Sequence, residues 1–184
     1  PRNIGAPLGS CVIDGPTERT IMEIQGSGAA SPFAGQPVKT SGVVTRVNNN
    51  GFFMQDEVGD GNSATSDGIF VYTGAAPTVS VGQLVQLTAN ISEFNTGAAG
   101  NTDTAAHPVT ELTGVANLNV LSSGHTITPT VITFPEASND DLERVEGMLV
   151  TINGRRTSSQ NYCQGRYGQV ALSANGRMET PANR

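Results

Sequence analysis

Between Gly51 and Thr73 the chain reads GFFMQDEVGDGNSATSDGIFVYT, with a short aromatic and apolar run at each end, FFM and IFVY, and an acidic, Gly-rich stretch between them. Runs this short, rich in aromatic and β-branched residues and each preceded by a glycine, read as strands, so the stretch is an apparent hairpin of two strands joined by a polar, Gly-rich loop. Alternation puts Phe52 and Met54 on one face of the first strand, with Phe53 and Gln55 on the other. In the second strand Ile69 and Val71 oppose Phe70 and Tyr72. One face supplies core. The other is aromatic and wet, the usual stacking platform for single-stranded nucleic acid, because every base offers a π surface.

Flanking segments extend the β pattern. Residues 38–47 (VKTSGVVTRV) form a predicted strand with Gly42 at its middle, where a glycine permits the bend or bulge that a small barrel needs. Residues 48–51 make a tight turn. In residues 84–94 (LVQLTANISEF), Val85, Leu87, Ala89 and Ile91 alternate with polar residues, and further short strands are predicted at 109–112, 118–121, 131–134, 148–152 and 169–172. Residues 95–107 read as a long loop, and residues 140–146 as one helical turn capped by Asn139. The fold class expected is all-β: an OB-fold-like, five-stranded Greek-key barrel with a β-rich C-terminal extension. An immunoglobulin-like sandwich competes, but it normally carries a core Trp and this chain has none. The division expected is an irregular leader over 1–36, the barrel over 37–122, and an extension over 123–184 that packs on the barrel. No apolar run approaches a membrane span, so no membrane partner is expected.

Charge argues against a polyanionic ligand. The net charge of the 184-residue chain is −6, the wrong sign for binding phosphates by bulk electrostatics. Its distribution is uneven: Lys39 is the sole lysine, while Arg155, Arg156, Arg166, Arg177 and Arg184 all follow residue 150, where Glu179 is the sole acid. An acidic, Lys-poor body is also how a secreted protein stays soluble. Cys11 and Cys163 are far apart and match no metal-ligand spacing; a long-range disulfide and two free thiols are both open readings. Together with scarce Lys and abundant Thr, Asn and Gly, the pair tilts the expected compartment toward extracellular. The chain starts at Pro1 without an initiator Met or an apolar leader, so we expect a processed or excised piece with more protein on either side.

The runs IMEIQGSGAASPFAGQPVKTSGVVTRV, GFFMQDEVGDGNSATSDGIFVYTG, VGQLVQLTANISEF, LERVEGMLV and GRYGQVALS follow one another over residues 21–181. In this order they resemble the OB-fold region of large secreted bacterial nucleases. There the region precedes a metal-dependent catalytic domain of the endonuclease/exonuclease/phosphatase superfamily. The resemblance implies a non-catalytic accessory domain that binds single-stranded DNA or RNA, covalently linked to a catalytic nuclease domain beyond Arg184 that holds the divalent metal. Cys163 departs from the family's run at that point and leaves the disulfide question open. The two histidines, His107 and His125, are isolated in sequence and are expected in loops without a chemical role.

Three candidate sites follow. The hairpin face assigns Phe53, Phe70 and Tyr72 to stacking, Gln55 to polar contacts, and Arg46 or Lys39 to phosphate; the alternative is that these aromatics pack under the leader or the extension. The loop DEVGDGNSATSD brings Asp56, Asp60, Asn62 and Asp67 together as hard oxygen donors for Ca²⁺ or Mg²⁺. It lacks EF-hand spacing, and Asp and Asn in such turns also bond their own backbone. Arg155, Arg156 and Arg166, near Tyr162 and Tyr167, offer a further phosphate patch or a docking surface for a neighbouring catalytic domain. Competing with nucleic-acid binding are a structural module that orients the catalytic domain and an extracellular oligosaccharide binder.

Overall fold

The computed structural model describes residues 15–97, 100–138, 141–160, 170–174 and 176. In chain order the elements are β1 (Thr17–Glu18), α1 (Ile21–Gln25), β2 (Pro37–Asn48), β3 (Gly51–Gln55), β4 (Gly68–Tyr72), β5 (Gln83–Phe94), α2 (Thr102–Ala106), β6 (Val109–Ser123), β7 (Thr130–Thr133), β8 (Val150–Asn153), β9 (Thr157–Gln160) and β10 (Ala171–Ser173). Strand dominates and the helices are single short turns, so the all-β expectation holds.

Hydrogen-bonded neighbours in the main sheet run β1-β2-β3-β4-β6-β5, and β5 pairs again with β2. The length of β2 allows both engagements: its first half, through Val43, lies antiparallel to β5, and its second half, from Val43 on, lies antiparallel to β3. Gly42 sits at this changeover. A Cβ there would stand 2.9 Å from Ile21 Cδ1 and 3.2 Å from Gln55 O, so the glycine lets α1 press against the sheet. The bulge itself falls beyond it, where Thr45 is the extra residue between the Val44–Met54 and Arg46–Phe53 pairs. The two short strands expected at 109–112 and 118–121 are one continuous β6, parallel to β4 and antiparallel to β5. Positive φ at Gly114 and Asn117 accompanies shifts in its register without ending the pairing. The expected loop over 95–107 contains α2, whose first backbone N–H groups donate to the side chain of Asn101.

The core joins the inward faces of β2–β6 with α1. Phe52, Met54, Ile69, Val71, Val85, Leu87, Ile91 and Leu112 pack with Ile21, Met22 and Ile24 in one cluster. α1 is held by a reciprocal cap in which Glu23 N donates to Thr20 Oγ1 and Thr20 N donates to Glu23 Oε2. The leader therefore supplies core side chains to the same cluster as the strands.

Beyond β6 lie two small sheets, parallel β7–β8 and antiparallel β10–β9. The helical turn expected over 140–146 is a 3-10 turn at Glu143–Val145, and its expected cap, Asn139, lies outside the described residues. This segment is seated on the main sheet. Ser66 Oγ donates to Glu146 O at 2.6 Å, Thr110 N donates to Glu146 Oε1 at 3.0 Å, and Gln25 Nε2 donates to Glu146 Oε1 at 3.4 Å. Backbone meets backbone at Gly68, where a Cβ would lie 2.5 Å from both C and O of Gly147. Neither partner can retreat as a flexible side chain would. Gly68→Ala is therefore expected to cost about 1–3 kcal/mol of stability and to speed limited proteolysis of the 141–149 segment. Wild-type protease resistance in the variant would mean that this contact does not hold the extension. No helix among the described residues is long and apolar enough to cross a membrane.

Candidate functional site

The aromatic face forms as alternation predicts. Phe52, Met54, Ile69 and Val71 are buried, while Phe53 and Phe70 are half-buried and Tyr72 is exposed. Phe53 and Phe70 are direct cross-strand partners, with ring centroids 4.8 Å apart and planes tilted by 48°. Gly51, opposite Tyr72, makes room for them: a Cβ there would stand 2.6 Å from Phe70 Cζ and 2.3 Å from Val71 O. The rings line an open cleft of about 630 Å³ with Tyr72, Phe94, Asn48, Asn50 and Glu111. A second cleft of about 480 Å³ continues along residues 114–118 of β6, and Tyr72 lines both.

Arg46 joins this face. The bulge at Thr45 sets it opposite Phe53, and its Nε donates to Asn48 Oδ1 at 3.0 Å, so the guanidinium is oriented by a residue of the cleft wall. Gln55 does not join it. It is 4 % exposed, and its Oε1 accepts from Leu149 N at 2.8 Å, which commits the amide to seating the C-terminal extension. Lys39 lies further up β2, opposite Thr88 of β5, and pairs with Glu18 at 3.8 Å. The aromatic floor is therefore not within its strand pairing.

Asn48, Asn50, Phe94, Thr96, Val109 and Glu111 also line the cleft and escaped sequence reasoning. Phe94 ends β5 and is 52 % exposed. Glu111 is 8 % exposed, and burial pushes its carboxyl above the usual carboxylate range. Its neighbourhood depends on the parallel β4–β6 pairing that sets it opposite Phe70. In sequence the one signal was an acidic residue inside an otherwise apolar and Thr-rich strand.

In the loop after β3 the side chains turn onto their own backbone. Asp56 Oδ1 accepts from Val58 N and Gly59 N, Asp60 Oδ1 accepts from Asn62 N, and Asn62 Oδ1 accepts from Ala64 N. Burial raises the Asp67 carboxyl, and the Asp60 and Asp56 charges add to the shift. Among the described residues, no group of three or more His, Cys, Asp or Glu is placed to hold a metal ion.

Arg155 is exposed in the turn after β8. Arg156 is committed locally: Nη1 donates to Arg155 O at 2.9 Å, Nη2 donates to Asn153 O, and the guanidinium lies 5.5 Å from the Phe134 ring centroid. Neither lines the aromatic cleft. Arg166, Tyr162, Tyr167, Cys11 and Cys163 lie outside the described residues.

The histidines are less isolated in space than in sequence. His107 Nδ1 lies 3.4 Å from Glu143 Oε1. His125 bridges Ser122 Oγ, 2.7 Å from Nε2, and Glu57 Oε2, 2.8 Å from Nδ1. That order is shared with nucleophile–base relays, but Ser122 stands exposed at the end of β6 and lines none of the clefts described above. The chain of bonds ties the loop after β3 to the end of β6.

No protein-family model matches the chain, and no curated protein matches it either.

Proposed function

We propose that this is an OB-type, non-catalytic domain that binds single-stranded DNA or RNA across the outer face of β3 and β4, presenting it to a covalently linked catalytic domain of a secreted nuclease. The observation that carries the reading is the Phe53–Phe70 pair on the floor of an open cleft, with Tyr72 shared by a second cleft beside it. Stacking on such rings needs no base-specific partner, and two adjoining clefts suit a ligand made of repeating planar units. The return of β5 to β2 supports the OB assignment, because a five-stranded Greek-key barrel joins its strands in that manner.

With a net charge of −6, affinity in this reading comes from stacking more than from phosphate contacts, so its salt dependence is shallow. The test is fluorescence anisotropy of a labelled oligonucleotide titrated with the protein at several salt concentrations. Saturable binding is expected, and Arg46→Gln is expected to reduce the slope of log affinity against log salt by about 1. Absence of saturable binding at low salt would sink the reading.

Oligosaccharide binding is the second reading, favoured by the nearly buried Glu111 and by Asn48 and Asn50, all of which line the cleft beside the rings. Sugars present hydroxyl donors to such groups and C–H faces to aromatics. Binding of a neutral oligosaccharide with none to the oligonucleotide would select it.

A further inference from the structure

The outer face of the sheet, from Arg46 at the edge of the cleft to Glu111 within it, holds a polarity that stacking alone does not use. Strand register places Arg46 opposite Phe53, Phe53 opposite Phe70, and Phe70 opposite Glu111. Four residues on adjacent strands thus cross the outer face in one row, running from a cation through two rings to a carboxyl. With strands about 4.8 Å apart, the row spans about 14 Å between its end Cα atoms. That length accommodates one nucleotide laid across the strands, phosphate at one end and outer base edge at the other. Glu111 lines the cleft while nearly buried, and among the described residues no hydrogen bond or ion pair reaches its carboxyl. Its oxygens keep contact with solvent in the open cleft, so a ligand that covers them must replace that water with donors, and N–H groups do so.

Resting on the single-strand reading above, we propose that Glu111 reads the base: it accepts hydrogen bonds from the Watson–Crick edge of a guanine stacked on Phe53 and Phe70, with the phosphate of that nucleotide toward Arg46. Guanine presents its N1–H and its exocyclic amine side by side, a two-donor fork that matches the two oxygens of a carboxylate. Thymine and uracil offer one N–H between two carbonyl oxygens, which a carboxylate repels. Cytosine and adenine place a ring nitrogen lone pair beside their amine, so the second carboxylate oxygen faces an acceptor. The opposite orientation, with phosphate toward Glu111, sets like charges against each other.

The experiment compares a labelled thymidine pentamer with pentamers carrying guanine, hypoxanthine or cytosine at the centre, by anisotropy with the full chain. The guanine pentamer is expected to bind roughly tenfold more tightly than the thymidine pentamer, in the range of one good bidentate contact. Hypoxanthine keeps N1–H but lacks the amine, so its affinity falls between the two. Glu111→Gln replaces one acceptor with a donor and is expected to bring the guanine and thymidine affinities within about twofold of each other. Equal binding of all four pentamers by the wild-type chain would overturn the assignment, as would a guanine preference that survives in Glu111→Gln. The hypoxanthine comparison needs no variant and stands whether or not Glu111→Gln folds. Failure of every pentamer to bind is a different result: it removes the single-strand reading itself.

Discussion

Phe53→Ala is expected to weaken binding of a single-stranded oligonucleotide by about 1–3 kcal/mol, roughly 5- to 150-fold, while leaving the domain folded. The ring is half-buried on the outer face and leans on Phe70 at 4.8 Å, so its removal deletes the stacking surface and one aromatic pair but opens no hole in the core. Its neighbour behaves oppositely. Phe52 is wholly buried among Met54, Val71 and their cluster, so Phe52→Ala is expected to cost about 3–5 kcal/mol of stability through lost burial and cavity formation. Thermal melts alongside anisotropy separate the two: Phe53→Ala melts close to wild type and binds weakly, and Phe52→Ala melts far below it. Wild-type affinity in a folded Phe53→Ala variant would remove the platform from the binding account.

Glu146→Gln is expected to flatten the dependence of stability on pH and to stabilise the protein at pH 8. Burial pushes the Glu146 carboxyl from its ordinary 4.5 up to about 7, and the charges of Glu143 and Glu93 add to the shift, while hydrogen bonds from Thr110 N and Gln25 Nε2 act against it. The folded chain therefore holds this proton more tightly than the unfolded chain. Its contribution is complete below about pH 4.5 and is lost as pH rises through about 7. Allowing for partial exposure, the swing is on the order of 2 kcal/mol. Glutamine keeps an Oε1 acceptor for Thr110 N and Gln25 Nε2 without the charge. Urea midpoints at pH 5 and pH 8 measure the effect: the fall between them is smaller in the variant than in wild type, where the raised Asp67 and Glu111 carboxyls remain. Parallel profiles for the two proteins would show that Glu146 is not the titrating group. Because Glu146 joins the 3-10 turn to β6, α1 and the loop before β4, the loss is concentrated where the extension is seated.

The same hairpin shows how far the chain could be read before its structure was known. Alternation placed Phe52 and Met54 inward and Phe53, Phe70 and Tyr72 outward, because a strand's side chains must alternate and apolar burial fixes which set goes in. Gln55 obeyed the same parity but went elsewhere, since the extension lies over that end of β3 and Leu149 N needed an acceptor. In the acidic loop, the Asx-type bonds of Asp56, Asp60 and Asn62 are local enough to be inferred from residue type alone. The expected break inside β6 did not occur, because pairing with β5 continues past Gly114 and Asn117.

Sequence alone determined that this chain is built of strands, which residues fill its core from the hairpin, and that one hairpin face is aromatic. These are consequences of local residue type and of the alternation of side chains along a strand. Tertiary structure alone decided what stands beside the rings. A single extra residue at Thr45 brings Arg46 level with Phe53, and the parallel pairing of β4 with β6 brings Glu111 level with Phe70. Both neighbours are set by register between strands distant in sequence, and a shift of one residue would have sent either side chain to the opposite face.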